Sequence, residues 1–148
     1  SRVTVEMIAD GVHVDPALYR HAVRSAGADR MSLITDAMAA AGMSDGPYTL
    51  GALAVEVVDG VARVAGTDTI AGSTATMDRV FRFAVEHSGL PRDQSLMQAV
   101  RQSSVNPARA LGLPVADLVA GAANLVVLDA ALAVTGVLHR GQWLVEPS

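Results

Sequence analysis

The chain has 148 residues, 51% of them hydrophobic, 18% charged and 3% aromatic, with a net charge of -4. That balance excludes a disordered chain and leaves no basic footprint for nucleic acid or anionic lipid; the core must be built from small aliphatic side chains, chiefly Ala and Val. With no Cys and no Lys, there are no disulfides, thiolate nucleophiles, Cys-bound zinc or Schiff-base lysines.

Val3 to Asp10 is short and rich in β-branched residues, which predicts a strand. Asp15 followed by Pro16 is a helix start, an acceptor for free backbone N–H groups and then a residue with a preset φ. This helix is expected to reach Ala26 and close at Gly27. Met31 to Thr35 is a second apolar strand ending at Asp36. A strand, helix, strand unit of this length places the two strands side by side and parallel. The stretch from Ala37 to Gly51 reads as a long loop. Residues 53–65 alternate around Asp59-Gly60, a strong hairpin signal. Met77 to His87 carries an apolar stripe at helical spacing and Gly89 beyond it. Gln94 to Ser103 is expected as another helix, and Asn106-Pro107 as the cap of a short one that Gly112 ends. From Leu118 to Leu138 the chain is most apolar, but Gly121, Asn124, Asp129 and Gly136 interrupt it. It reads as two buried strands and a turn, not a membrane span. QWLVE is a last strand. The first ten residues carry Arg2, Glu6 and Asp10, which does not suit a signal peptide.

In parallel β/α folds the reactive residues lie just beyond the carboxyl ends of the strands. His13 and Asp36 hold such positions after the two N-terminal strands, and are expected to face one pocket. His21, His87 and His139 are read as surface or packing residues, and Glu6 as a strand-pairing residue. No HxH or HExxH spacing is present, so the chain offers no complete metal cage. Gly72 and Ser73 precede a helix and could offer N–H groups to an anion or sugar hydroxyl; a plain Ser/Thr cap is the favoured reading.

The strings ADGVHVDP, LITDAMAAAGMSDGPYTLG, VDGVAR, IAGSTATMD and NPARALGL, in this order, resemble the C-terminal part of the N-acetylglucosamine-6-phosphate deacetylases of the amidohydrolase superfamily. The resemblance implies an α/β fold: the last two β/α units of a (β/α)8 barrel, with short antiparallel strands of a small β-sandwich. Residues 1–112 would be the partial barrel, with its seventh and eighth strands, the 53–65 hairpin and C-terminal helices. Residues 113–148 would be sandwich strands. It implies that Asp36 is the catalytic carboxylate and a possible metal contact. His13 would bind the sugar phosphate or a hydroxyl, with Asp10, Gly11 and Val12 in the same substrate-contacting segment. Ile70, Ala71 and Gly72 would line the pocket with backbone. The implied cofactor is a divalent metal, zinc or iron, whose Glu and two His ligands come from earlier strands. The chain alone is therefore expected to bind no catalytic metal tightly and to be inactive.

The implied partners are an amino-sugar phosphate, the N-terminal half of the barrel and a second copy in a homodimer or other self-association, in the cytoplasm, with no nucleic acid and no membrane. Two alternatives stay open: an amidohydrolase acting on a different amide, and a non-catalytic binding module without the metal site.

Overall fold

Val5–Ile8 forms strand β1 and Met31–Ile34 strand β2 in a computed structural model that describes residues 3–113 and 124–147. They pair in parallel, with Val5 opposite Met31 and Ile8 opposite Ile34. The crossover between them is helix α1, Pro16–Ala26. Asp15 caps it by accepting from the Ala17 N–H at 2.7 Å, and the Gly27 N–H closes it on the Val23 carbonyl at 2.8 Å. Met31, Ser32 and Leu33 of β2 are buried, as are Tyr19 and Val23 of α1.

The stretch expected as a long loop contains a strand, β3, Gly46–Leu50. Gly46 and Pro47 read as strand breakers, but β3 is an edge strand, where a proline is tolerated because only one side of the backbone must pair. Tyr48 and Thr49 favour extended structure and carry the pairing on. The hairpin follows as β4, Leu53–Val58, and β5, Val61–Val64, completing the antiparallel order β3-β4-β5. Asp59 and Gly60 both have positive φ, and the Asp45 carboxylate accepts from their N–H groups at 2.6 and 3.1 Å. Val55, Val57 and Ala62 of this sheet pack with Met38, Ala40 and Ala71 in one small-residue core, with Tyr48 and Val64 against it.

Helix α2 is Met77–His87, with Val80, Phe81, Ala84 and Val85 buried and Met77, included in the expected apolar stripe, exposed. The next helix differs from expectation. Helix α3, Arg92–Val100, a π-helical segment, Arg101–Val105, and helix α4, Asn106–Ala110, follow one another without a break. Asn106 is therefore inside a helical run, not a cap. The wider turn is satisfied by the Asn106 N–H bonding to the Arg101 carbonyl, just before Pro107, which has no N–H to give. The run ends at Gly112, with Leu113 N–H on Ala108 O and Gly112 N–H on Arg109 O.

The chain divides into two compact units, Ser1–Asn106 and Pro107–Ser148. The second holds an antiparallel sheet of β6, Leu125–Leu128, β7, Val134–His139, and β8, Gln142–Val145, in that order. Of the apolar stretch from Leu118, the part before Asn124, Gly121 included, lies outside the described residues. The two strands within it are not buried as expected: Leu125, Val126 and Val134 are exposed, because side chains of a three-stranded meander have mostly one another to pack on. Among the described residues no helix is long and apolar enough to cross a membrane.

Two buried polar side chains lock the first unit. The Tyr19 hydroxyl donates to Gln102 Oε1 at 2.8 Å, and burial pushes its phenol pKa up. The Asn106 amide donates to the carbonyls of Ala28 and Met31 at 2.8 and 2.7 Å, holding the start of β2. Replacing Asn106 by Ala removes both donors and is expected to lower unfolding free energy by about 1–3 kcal/mol. Asn106→Asp should cost more, since it turns a carboxylate toward two carbonyl oxygens. Urea unfolding checks both, and an Ala variant as stable as the parent would show that Asn106 does not lock β2.

Candidate functional site

Past the carboxyl end of β1 the chain turns back on itself around Asp10. Its Oδ1 accepts from the N–H groups of Val12 and His13, both at 2.9 Å. Its Oδ2 accepts from the His13 ring at Nδ1, 2.9 Å away, and from the Ser73 hydroxyl at 2.8 Å. The Asp10 side chain is 5% exposed and that of His13 20%. Burial by itself raises the Asp10 pKa; the bonds from the His13 N–H, the Ser73 hydroxyl, the Val12 N–H and the His13 ring outweigh it and hold the carboxyl below its ordinary value. With Asp10 ionised, the ring proton sits on Nδ1 and Nε2 is left for another partner. The same four bonds tie the Asp10 carboxylate to its own turn, to the His13 ring and to Ser73, so it supports His13.

Gly11 takes φ 80°, and a Cβ there would come within 3.4 Å of the Phe83 ring, so the turn passes close over α2. Phe83 stacks edge-on with Tyr19 and with His87, at ring-centre distances of 5.9 and 4.5 Å, which makes His87 a packing residue. Val12 is exposed.

Asp36 lies just beyond β2 and is exposed, with φ 49°, a left-handed conformation that Asp tolerates better than most non-glycine residues. The Ser73 N–H donates to the Asp36 carbonyl at 3.1 Å and the Met38 N–H donates to the Ser73 carbonyl at 3.0 Å. Ala37 and Ser73 thus form a short parallel bridge. Ser73 therefore touches both segments: its hydroxyl meets the Asp10–His13 pair and its main chain meets Asp36. This is the link that brings the two predicted positions to one end of the parallel strands.

The remaining predicted residues divide. Ala71 is buried in the core of the antiparallel sheet, and its N–H donates to the Ala62 carbonyl at 3.0 Å, so only its carbonyl side is left for a pocket. Gly72, at φ 113°, has the Asp36 carbonyl and Met38 Cβ each 3.5 Å from where a Cβ would stand. Ile70 is exposed and bridges Arg63. The Ser73 N–H, considered for an anion, is taken by Asp36; the Ser73 hydroxyl accepts from the Ala75 N–H at 3.0 Å in a local turn, while the N-cap of α2 is Thr76, which makes no side-chain cap bond. The Thr74 hydroxyl donates to the Gly60 carbonyl, tying the segment to the hairpin turn. Glu6, His21 and His139 are exposed. Sequence reasoning missed Ser73 as the junction, although the Ser after Ala-Gly stood in view; nothing in a linear string says that a residue sixty-three positions away supplies the carboxylate.

Because the Asp10 pKa is lower in the folded chain than its ordinary 3.8, the unfolded chain binds the proton more readily. The stabilisation is complete above that ordinary value and is lost as the pH falls through the lowered one. Asp10→Asn is expected to flatten this part of the acid limb in urea unfolding measured across pH. An unchanged acid limb would mean that other carboxylates carry it.

No family model matches the chain. A Bos taurus N-acetylglucosamine-6-phosphate deacetylase is 41% identical over 145 residues, which cover 95% of this chain and 34% of the relative. An Escherichia coli (strain K12) protein provisionally named N-acetylgalactosamine-6-phosphate deacetylase is 40% identical over 147 residues, 95% of this chain and 83% of its own length. Among solved structures, N-acetyl-D-glucosamine-6-phosphate deacetylase from Mycobacterium smegmatis, as an aspartate-to-alanine variant in complex with N-acetyl-D-glucosamine-6-phosphate, matches with a TM-score of 0.94 and 69% identity. That match covers 97% of this chain and 38% of the solved one. The chain thus spans about a third of the length of the Bos taurus and Mycobacterium smegmatis proteins. The chain belongs to the N-acetylglucosamine-6-phosphate deacetylase family and corresponds to a C-terminal part of it.

Proposed function

We propose that this chain supplies the base and one substrate-binding wall of a deacetylase acting on N-acetylglucosamine 6-phosphate, with β1 and β2 as the seventh and eighth strands of a (β/α)8 barrel. The observation that carries the reading is the juxtaposition at the end of the parallel pair: Asp36 after β2, the Asp10–His13 pair after β1, and Ser73 bonded to both. The Mycobacterium smegmatis relative bound to its substrate is an aspartate-to-alanine variant, which accords with an aspartate as the group that consumes the substrate.

In this reading the Asp36 carboxylate takes a proton from water as its oxygen bonds to the acetamide carbon. It then returns that proton to the sugar nitrogen as the carbon–nitrogen bond breaks, releasing acetate and the free amine. The Asp36 carbonyl, pinned by Ser73, fixes where the side chain starts. His13, held through Nδ1, offers Nε2 to a sugar hydroxyl or to the phosphate. The Ile70–Gly72 segment borders the same place with backbone.

A divalent metal in such hydrolases polarises the acetamide carbonyl and acidifies water. Among the described residues no three His, Asp or Glu side chains come together as ligands, and an open catalytic site takes about three. The described residues therefore do not by themselves fit a resident catalytic metal; Asp36 is the candidate contact they offer.

Relatives named for the glucosamine and galactosamine substrates are equally similar at 41% and 40% identity. The 69% identity to the Mycobacterium smegmatis enzyme favours the glucosamine substrate. The test is a chimera in which this chain replaces the matching 38% of that enzyme. It is expected to release acetate from N-acetylglucosamine 6-phosphate faster than from the galactosamine epimer. Asp36→Asn should lower kcat by about two to four orders of magnitude, the usual contribution of a positioned acid–base group, with little change in substrate affinity. Turnover near the parent rate in the Asn variant would remove Asp36 as the base.

A further inference from the structure

We propose that Ser73 is a positioning residue that orients His13 for substrate binding through its hydroxyl and places Asp36, the base, through its main chain; this rests on the deacetylase reading above.

Ser73 is 2% exposed, so its hydroxyl is closed to bulk water and has two partners in the protein. It donates to Asp10 Oδ2 at 2.8 Å and accepts from the Ala75 N–H at 3.0 Å. An ionised carboxylate can only accept and the Ala75 N–H can only donate, so the hydroxyl proton points at Asp10. Asp10 Oδ2 is also the atom that holds His13 Nδ1 at 2.9 Å. A hydrogen bond from Ser73 thus decides where the His13 ring finds its acceptor. The main chain of the same residue bonds to Asp36 O and Met38 N, holding Asp36 in its left-handed conformation. Side chain and backbone of Ser73 act on different functional groups, and a substitution of the side chain separates them.

Ser73→Ala removes the hydroxyl and leaves the backbone bonds to the Asp36 segment. It should therefore act on substrate binding through His13 and spare the proton transfer through Asp36. In the chimera, KM for N-acetylglucosamine 6-phosphate should rise about tenfold, the order set by losing a hydrogen bond to a charged group. kcat should stay within about threefold. Calorimetric titration of the same sugar phosphate in the Asp36→Asn background, where turnover no longer interferes, should show the same tenfold weakening. With His13→Ala already present, adding Ser73→Ala should weaken binding by less than about twofold, because two groups acting as one unit are not additive. Ser73→Thr, which keeps the hydroxyl, should restore most of the affinity. If Ser73→Ala does not fold, Asp10→Asn tests the next link of the same relay, since it keeps an acceptor for the Val12 and His13 N–H groups but presents a donor to both the Ser73 hydroxyl and the His13 ring; unchanged binding in that variant would overturn the relay.

Equal weakening with and without His13, or a loss confined to kcat, would overturn the role assigned to Ser73. No weakening by Ser73→Ala where His13→Ala does weaken binding would overturn it too and leave the deacetylase reading intact. No effect of His13→Ala would remove His13 as a substrate contact and this proposal with it. A chimera that neither binds nor turns over the sugar phosphate would instead defeat the functional reading itself.

Discussion

A carboxylate that is 5% exposed stays ionised only if protein groups replace the water it has lost, and Asp10 is such a carboxylate. Its donors come from two parts of the chain: the turn that follows β1, which gives two N–H groups and the His13 ring, and Ser73, sixty-three residues later. The turn alone would satisfy one oxygen and part of the other. Because the long-range donor is needed, the Ala71–Thr76 segment has to lie across the ends of β1 and β2, and the ends of both strands are thereby brought to one place. Satisfying a buried charge and assembling a site are here a single requirement.

The segment that reaches across is held from behind by the antiparallel sheet. Ala71 is buried in the sheet's core of Val55, Val57 and Ala62, and the Thr74 hydroxyl bonds to the carbonyl of Gly60 at the hairpin turn. The turn is in turn held by the Asp45 carboxylate. An aliphatic core of small side chains suits this purpose, since it lets the segment come close to β4 and β5 with little side-chain freedom to lose. Ser73, between the buried Ala71 and Ala75, has little choice of position. The hairpin therefore reaches the site through the one residue that both strand ends need.

A site built on hydrogen bonds between loops contrasts with the parallel pair beneath it, which packs through buried Met31 and Leu33. Strands and helices give a firm base, while the loops beyond them carry the polar groups; this is the usual division of labour in β/α folds. Asp36, exposed and left-handed, stands where that division is sharpest. The family membership and the loop geometry bear on the same two segments independently, one from similarity along the chain and the other from contacts across it.

Much of this was legible along the chain. Asp15-Pro16 and Gly27 bound a helix because capping and φ restriction act within a few residues, and Asp59-Gly60 marked a turn for the same local reason. The parallel pairing of β1 and β2 followed from a strand, helix, strand order, and the resemblance pointed to His13 and Asp36. What stayed hidden depends on partners far away in sequence. Gly46-Pro47 begins a strand because β4 is beside it, and Asn106, inside a continuous helical run, sends its amide N–H groups to the distant Ala28 and Met31 carbonyls. That Asp10 supports His13 was hidden too, since its bond to Ser73 closes only when the two segments meet. The sequence by itself determined the local elements and the two strand-end positions, because capping, turn chemistry and hydrophobic period are short-range. Only the tertiary structure decided that Ser73 joins them, because a hydrogen bond between residues sixty-three apart exists only after the chain has folded.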